Sequence, residues 1–154
     1  MDIELIQAKW ILRKLPVEEL PKFAADLMVG GFSGPAVLNL ASFHTPNSRG
    51  IEHAFNSVMQ EVGRPPMSSE NAARRYVREI ATEIIRKKID PYHGAREIWD
   101  LQHGVDHEIP ELRIFVGLAS EFEDTEDRGY KAELADRIIR EANIVADGGW
   151  PDVP

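Results

Sequence analysis

The chain of 154 residues contains no cysteine, and this absence removes several kinds of chemistry at once. Without cysteine there can be no disulfide bond, no thiolate ligand for zinc and no cysteine nucleophile. A cysteine-free composition fits a reducing compartment, so we expect a cytoplasmic protein. The sequence also lacks a glycine-rich nucleotide loop and any recognisable nucleophile motif, and these absences leave the reaction, if there is one, unassigned.

Long hydrophobic runs are missing as well. The longest uninterrupted apolar stretch extends from Ile114 to Ala119, with Gly117 inside it. A membrane-spanning helix needs roughly 20 consecutive apolar residues. The sequence therefore predicts no membrane association.

Positive charge is in deficit, because 18 lysines and arginines face 26 aspartates and glutamates, for a formal net charge of −8. This balance disfavours nucleic acids and anionic membranes and suits a basic protein partner. The most basic stretch, residues 70–88, places acidic residues one helical turn from basic ones, as in Arg75 and Glu79. Such pairs are typical of an exposed helix face, so we expect no nucleic-acid partner.

The pattern that is present is helical throughout. Apolar residues recur at spacings of three and four, and no pair of alternating runs is joined by a hairpin turn. Prolines and glycines divide the pattern into segments, and Pro21 indicates that the second helix starts at Leu20 or Pro21. The sequence predicts an all-α fold of seven to eight helices, within residues 3–15, 17–29, 35–42, 51–62, 70–88, 91–103, 110–123 and 130–146.

We predict one compact domain over residues 1–146, followed by a tail at 147–154. The stretch 63–69, GRPPMSS, resembles a linker and could divide the chain into two subdomains. Cores that small are marginal, which favours a single shared core. The segment 110–123 is apolar around most of its circumference and is predicted to be the central helix of that core.

Two runs carry a resemblance: KKIDPYHGAREIW and PELRIFVGLASEFED, with LMVGGFSGPAVLNLASF nearer the N-terminus. They resemble a group of small, uncharacterised all-helical bacterial proteins. The resemblance covers about half of the chain and implies a bacterial origin and an all-α fold. It implies no activity, and no functional residue is carried over from it.

The clearest candidate for a binding site is an acidic cluster near residue 124. Its carboxylates could attract a basic partner, although a solvated acidic turn would have the same composition. Glu121 follows an apolar helix face; pointing inward, it would need a partner such as Arg96 or Arg113. Trp150 could either dock onto the core or serve as a binding anchor. The predicted partner-binding residues are Glu121, Glu123, Asp124, Glu126, Asp127 and Trp150.

Histidines suggest a different site, because three of the chain's five lie between residues 93 and 107. His93, His103 and His107 could hold a metal ion, or His103, Asp106 and His107 could supply a general base. Two observations oppose this reading: Gly104 interrupts the helical spacing, and the glutamate of a zinc-protease helix motif is absent. A dipole-stabilised His103 beside a polar loop explains the same residues.

The start of the helix at Pro91 gives a third candidate. Asp90, Tyr92 and Arg96 could form an anion pocket at the helix N-terminus. The simpler interpretation is a capped helix whose Arg96 pairs with a nearby glutamate.

Two functional hypotheses follow. The first is a non-enzymatic, acidic protein-interaction module without a cofactor, comparable in size and charge to bacterial immunity proteins. The second is a small hydrolase, either metal-dependent or using a histidine–aspartate base in segment 93–108. A homodimer is compatible with either hypothesis. The charge balance favours the first.

Overall fold

The computed structural model describes residues 1–44, 48–105 and 107–149, and within these ranges the secondary structure is helical with no strand. The all-α prediction is confirmed. None of the described helices combines the length and the apolar character needed to cross a membrane. The eight α-helices are α1 (Ile3–Ile11), α2 (Leu20–Val29), α3 (Pro35–Ala41), α4 (Ser48–Glu61), α5 (Ser69–Ile85), α6 (Pro91–Gln102), α7 (Arg113–Asp124) and α8 (Arg128–Ala146).

Several boundaries follow from local signals. A 3-10 turn at Val17–Glu19 precedes α2, which confirms its predicted start at Leu20. Regular geometry in α4 begins only at Ile51, because Arg49 and Gly50 have non-helical dihedral angles and Gly50 has φ = 84°. A second 3-10 turn, Pro110–Leu112, leads into α7.

The contacts divide the chain into two compact units, Met1–Ser68 and the remainder from Ser69. We call them unit 1 and unit 2. The prediction of a single domain over residues 1–146 stays a prediction.

In unit 1, α2 packs against α3, and α3 packs against α4. The core is formed by fully buried side chains, including Leu27, Val37 and Phe55. Helix α1 contributes Trp10, whose ring lies 5.1 Å from that of Phe55 between centroids. The hydrophobic periodicity of these segments therefore corresponds to one shared apolar core within the unit.

A single carboxylate organises the start of α3. The Glu61 side chain accepts hydrogen bonds from the backbone N–H groups of Ala36 (2.9 Å) and Val37 (3.1 Å). Such a cap usually comes from the residue immediately before the helix, whereas here Glu61 provides it from another segment. Gly34 leaves the space for it, because a Cβ atom at this position would lie 2.2 Å from the Glu61 carboxyl carbon.

Helix α1 is tied to the end of unit 1 by polar contacts. The Gln7 side-chain amide donates to the Pro65 carbonyl at 2.9 Å, and Arg64 lies 3.6 Å from Glu4. These contacts close the unit, since they join residues that are 58 and 60 positions apart in the chain.

In unit 2, α5 packs against α8, and α6 contacts α5, α7 and α8. Ile80, Ile98, Phe115 and Ile138 lie in the core and are almost completely buried. Gly94 allows α5 and α6 to approach closely, because a Cβ atom there would lie 2.5 Å from the end of the Ile84 side chain.

Helix α7 is amphipathic. Phe115, Leu118 and Ala119 are buried, but Ile114 is 38% exposed and Gly117 is also on the solvent side. Most of the apolar residues in segment 110–123 face inward, and the remaining ones are only partly covered. The prediction of a central helix buried on all sides is not confirmed.

Two helices end three or four residues earlier than predicted, and both end in the same way. Helix α1 ends at Ile11 and α5 at Ile85, and they are followed by Arg13 (φ = 56°) and Lys87 (φ = 57°). This left-handed conformation turns the backbone so that the next N–H bonds back into the helix, as Lys88 does to Glu83 at 2.9 Å. Glycine is the usual residue at such a position, and its absence makes the helix ends invisible in the sequence.

Candidate functional site

The acidic residues predicted from the sequence lie where α7 ends and α8 begins. Asp127 caps α8 by accepting a hydrogen bond from the Tyr130 backbone N–H at 2.9 Å. The Asp127 N–H in turn donates to the Thr125 hydroxyl at 3.2 Å. The turn between the helices is therefore held by its own side chains, with Asp127 in a structural role.

Tyr92, near the start of α6, joins this turn to the neighbouring helix. Its hydroxyl donates to Glu123 at 2.7 Å, and its ring stacks on Phe122 with centroids 4.6 Å apart. The hydrogen bond to Glu123, followed by desolvation, raises the pKa of Tyr92 above its ordinary value. The neutral hydroxyl is the form that holds the carboxylate in place.

Tyr130 makes the corresponding contact from the start of α8. Its hydroxyl donates to Glu121 at 2.6 Å, and this hydrogen bond is the main reason that the pKa of Tyr130 is raised. Tyr130 is 39% exposed, and Lys131 beside it lies 5.0 Å above the Phe122 ring. Glu121 is itself exposed, so the inward orientation considered for it, with Arg96 or Arg113 as partner, is not observed.

Both cations pair with other glutamates. Arg96 lies 3.5 Å from Glu123 and stacks 4.2 Å from the Trp99 ring centroid, whereas Arg113 pairs with Glu108 at 2.6 Å. The simpler interpretation of the α6 start is confirmed, because Asp90 caps α6 and Arg96 pairs with a glutamate.

These contacts define one surface on unit 2, which we call the acidic aromatic surface. It carries carboxylates fixed by aromatic hydroxyls, together with the exposed carboxylates of the turn. Its residues are Tyr92, Arg96, Glu121, Phe122, Glu123, Asp124, Glu126, Asp127, Tyr130 and Lys131.

The third tyrosine of the chain repeats the pairing away from this surface. The Tyr76 hydroxyl donates to Glu97 at 2.5 Å between α5 and α6. Desolvation by burial, reinforced by Glu97, raises the pKa of Tyr76 far above its ordinary value. The hydroxyl of each of the three tyrosines thus donates a hydrogen bond to a glutamate.

The candidate histidines are distributed along α6 and beyond it. His93 lies in the first turn, where its backbone N–H and ring Nδ1 contact the Asp90 carboxylate, and His103 follows the last turn as the C-cap. Ten positions along a helix correspond to about 15 Å, so His93 and His103 do not converge on one ion. Asp106, from the general-base hypothesis, lies outside the described residues.

His107 is exposed, and its backbone carbonyl accepts a hydrogen bond from the Gln102 side chain at 3.0 Å. The Gln102 side-chain carbonyl oxygen accepts a hydrogen bond from the Ile109 N–H at 3.1 Å. The loop is thus bridged by Gln102. In the part of the chain that the structure describes, no group of three or more histidine or acidic side chains is arranged to hold a metal ion.

The sequence predicts the carboxylates of this surface but not the aromatic contacts that hold them. It places Tyr92 in a candidate anion pocket, Phe122 only within the apolar segment 110–123, and Tyr130 only at the start of the segment 130–146. A tyrosine shortly after an acidic turn was the available signal for Tyr130. Trp150, the remaining partner-binding prediction, lies outside the described residues.

Comparison of the chain with protein-family models, with curated proteins and with solved structures finds no match. The resemblance to small helical bacterial proteins therefore stays a prediction, and any functional argument depends on the site itself.

Proposed function

We propose that this chain is a non-enzymatic protein-interaction module that binds a basic protein partner through its acidic aromatic surface. The format is that of a bacterial immunity protein: small, helical, acidic and devoted to recognition. The cysteine-free composition supports a reducing compartment such as the cytoplasm as its place of action.

The observation that carries the proposal is the pairing of two tyrosines with glutamates at the surface, where Tyr130 is exposed and Tyr92 is half-buried. Tyr130 fixes Glu121, and Tyr92 fixes Glu123, at hydrogen-bond distances of 2.6 and 2.7 Å. Binding costs conformational entropy when flexible side chains become ordered, and these carboxylates are already positioned. Tyrosine is also enriched at interfaces, because its ring buries apolar area while its hydroxyl keeps a polar contact.

Charge supports the same conclusion at longer range. The chain carries a formal charge of −8, and Asp124 and Glu126 add exposed carboxylates to the surface. A negative surface accelerates encounter with a positive one and discourages nucleic acids.

The experiment has two stages. The tagged protein first captures partners from a native lysate, and mass spectrometry identifies those present in stoichiometric amount. Association and dissociation rates of the purified pair are then measured for wild type and for Asp124→Lys/Glu126→Lys at several salt concentrations. We expect about tenfold slower association at low ionic strength, with the difference shrinking as salt is added.

A matched control separates a local surface from net charge. Glu18→Lys/Asp26→Lys changes the charge of exposed unit 1 residues by the same amount, far along the chain from the acidic turn. It should leave association nearly unchanged. Equal slowing by both double variants would reject this surface as the interface, and a self-complex as the sole capture product would replace the basic partner with a homodimer.

Dissociation tests the tyrosines separately. Tyr92→Phe and Tyr130→Phe keep the rings but remove the hydroxyl hydrogen bonds to Glu123 and Glu121. We expect faster dissociation with little change in association, because charge is preserved while preorganisation is lost.

A further inference from the structure

Exposed apolar side chains are concentrated where α2 connects to α3. Met28 and Val29 are the last two residues of α2, Phe32 lies in the connection, and Leu38 is the fourth residue of α3, so all lie within about one helical turn of it. Their exposed fractions are 41%, 90%, 38% and 47%, and they make up half of the large apolar side chains exposed among the described residues. We call these four residues the apolar corner. Concentrated apolar exposure marks a contact with another molecule.

The backbone of the apolar corner is fixed by the way α2 ends. The Phe32 N–H donates to the Leu27 carbonyl and the Gly31 N–H to the Met28 carbonyl, both at 3.0 Å. Gly31 has φ = 96°, the left-handed conformation that this kind of helix end requires. The side chains are therefore presented from an ordered backbone, which lowers the entropy lost when another molecule binds.

The apolar corner also lacks charge. From Leu27 to Phe43 the sequence contains no aspartate, glutamate, lysine, arginine or histidine, although 29% of the chain is charged. Glu61 reaches the start of α3, but its carboxylate accepts hydrogen bonds from the backbone there. The centres of protein interfaces are depleted of charge and enriched in phenylalanine and methionine, and the apolar corner has this composition.

The distribution of charge between the two units indicates what meets this corner. Unit 1 has seven acidic and six basic residues, for a net charge of −1, whereas unit 2 has 19 and 12, for a net charge of −7. Two copies of the chain therefore repel each other most through unit 2 and least through the uncharged corner of unit 1. A charged partner finds no oppositely charged side chain in segment 27–43, whereas an apolar surface is complementary to a second copy of itself.

We propose that the apolar corner is a contact between two copies of this chain in solution. A two-fold arrangement brings the same residues together from both sides, and apolar side chains meet this requirement without paired charges. Stable dimers bury roughly 800 Å² on each partner, more than four partly covered side chains supply. The dimer is therefore weak, with a dissociation constant on the order of 100 µM. It is independent of the proposed basic partner, which uses unit 2.

Sedimentation equilibrium of the full chain tests the proposal, over a concentration range that brackets about 100 µM. We expect a reversible equilibrium between monomer and dimer. The dimer should become more stable as salt is added, because salt screens the repulsion between two chains that each carry a charge of −8.

Lysine substitutions localise the contact. Val29→Lys and Leu38→Lys each place a charge in the apolar corner and should weaken the dimer by about tenfold. Val29 is 90% exposed at the C-terminal end of α2, where a lysine is favourable, so this variant should keep its fold. Each substitution makes the chain less negative, so weaker association cannot result from greater net repulsion. Ile144→Lys, at a unit 2 position that is also 47% exposed, is the matched control and should change the dissociation constant by less than about twofold.

Four results would overturn the assignment. A chain that stays monomeric over the whole range has no such contact, and a captured basic partner that then bound Val29→Lys more weakly would own the corner instead. Equal dissociation constants for wild type and both corner variants would place the contact elsewhere. A dimer that weakens as salt is added would depend on opposite charges. A lower urea midpoint for monomeric Val29→Lys than for wild type would show that the chain itself covers this residue.

Discussion

The contact between Glu61 and the start of α3 makes a quantitative prediction about Gly34. The substitution Gly34→Ala would be compatible with the backbone, because Gly34 has φ = −71° and ψ = 168°. Only space is lacking, since the new methyl group would occupy the position of the Glu61 carboxylate. Glu61 has a flexible side chain, so this side chain would swing away and leave the N–H groups of Ala36 and Val37 without their cap.

The magnitudes follow from this geometry. Glu61→Ala removes two capping hydrogen bonds, one exposed and one part-buried, and should lower the free energy of unfolding by about 1.5 kcal/mol. Gly34→Ala should lose the same cap but gain about 0.5 kcal/mol by restricting the unfolded chain, for a net loss of about 1 kcal/mol. The double variant has no cap left to lose, so its net loss should also be about 1 kcal/mol, whereas additivity requires about 2.5 kcal/mol.

Urea unfolding of the four proteins, followed by circular dichroism, measures this coupling of about 1.5 kcal/mol. Gly117→Ala is the control substitution, because a Cβ atom at this exposed helical position meets no atom within 4 Å. It should stabilise the chain by about 0.5–1 kcal/mol and combine additively with Glu61→Ala. A Gly34→Ala/Glu61→Ala variant destabilised by the full additive amount would refute the argument.

Three further predictions concern ionisable groups. Phenolate absorbance should show all three tyrosines ionising above the ordinary tyrosine pKa, with Tyr76 ionising last. The free energy of unfolding should fall as pH rises above the ordinary tyrosine pKa, because the unfolded chain loses its phenolic protons at lower pH than the folded chain. Arg74→Met should lower the free energy of unfolding in urea by about 2 kcal/mol, because Arg74 lies 2.9 Å from the Glu111 carboxylate, which is only 8% exposed. Arg113→Met should cause no measurable change, because the pair of Arg113 with Glu108 is exposed. Desolvation is the largest single influence on the pKa of Asp90 and raises it, but the contacts with His93 together outweigh desolvation and lower the pKa, so the stabilising charge of Asp90 acts above the ordinary aspartate pKa. The wild-type chain should therefore be more stable to urea than Asp90→Asn near neutral pH, and this difference should disappear as pH falls below about 4. A difference that persisted below that pH would contradict the role of the Asp90 charge.

The helix content and most helix starts were predictable because their causes are local. Asp90 followed by Pro91 predicts a helix start, and α6 begins at Pro91 with Asp90 as its N-cap. The ends of α1 and α5 were not predictable in the same way. Their left-handed residues are Arg13 and Lys87, and nothing in the identity of an arginine or a lysine announces that conformation.

The candidate site was predictable only as a run of carboxylates. Tyr92 and Glu123 are 31 residues apart, and their contact depends on how α6 packs against α7. Local sequence carries no record of that packing. The Glu61 cap on α3 was missed for the same reason, since donor and acceptor belong to segments 24 and 25 residues apart.

The polar contacts that close unit 1 also set an order of events during synthesis. Gln7 finds its partner only at Pro65, 58 residues later, and α3 receives its cap only from Glu61. A chain leaving the ribosome with its first three helices exposed would therefore have apolar faces without their final neighbours, and α3, at seven residues, is too short to persist alone. We therefore expect this unit to complete its folding only after the segment around residue 65 has left the ribosome, and its apolar faces to stay open to other chains until then.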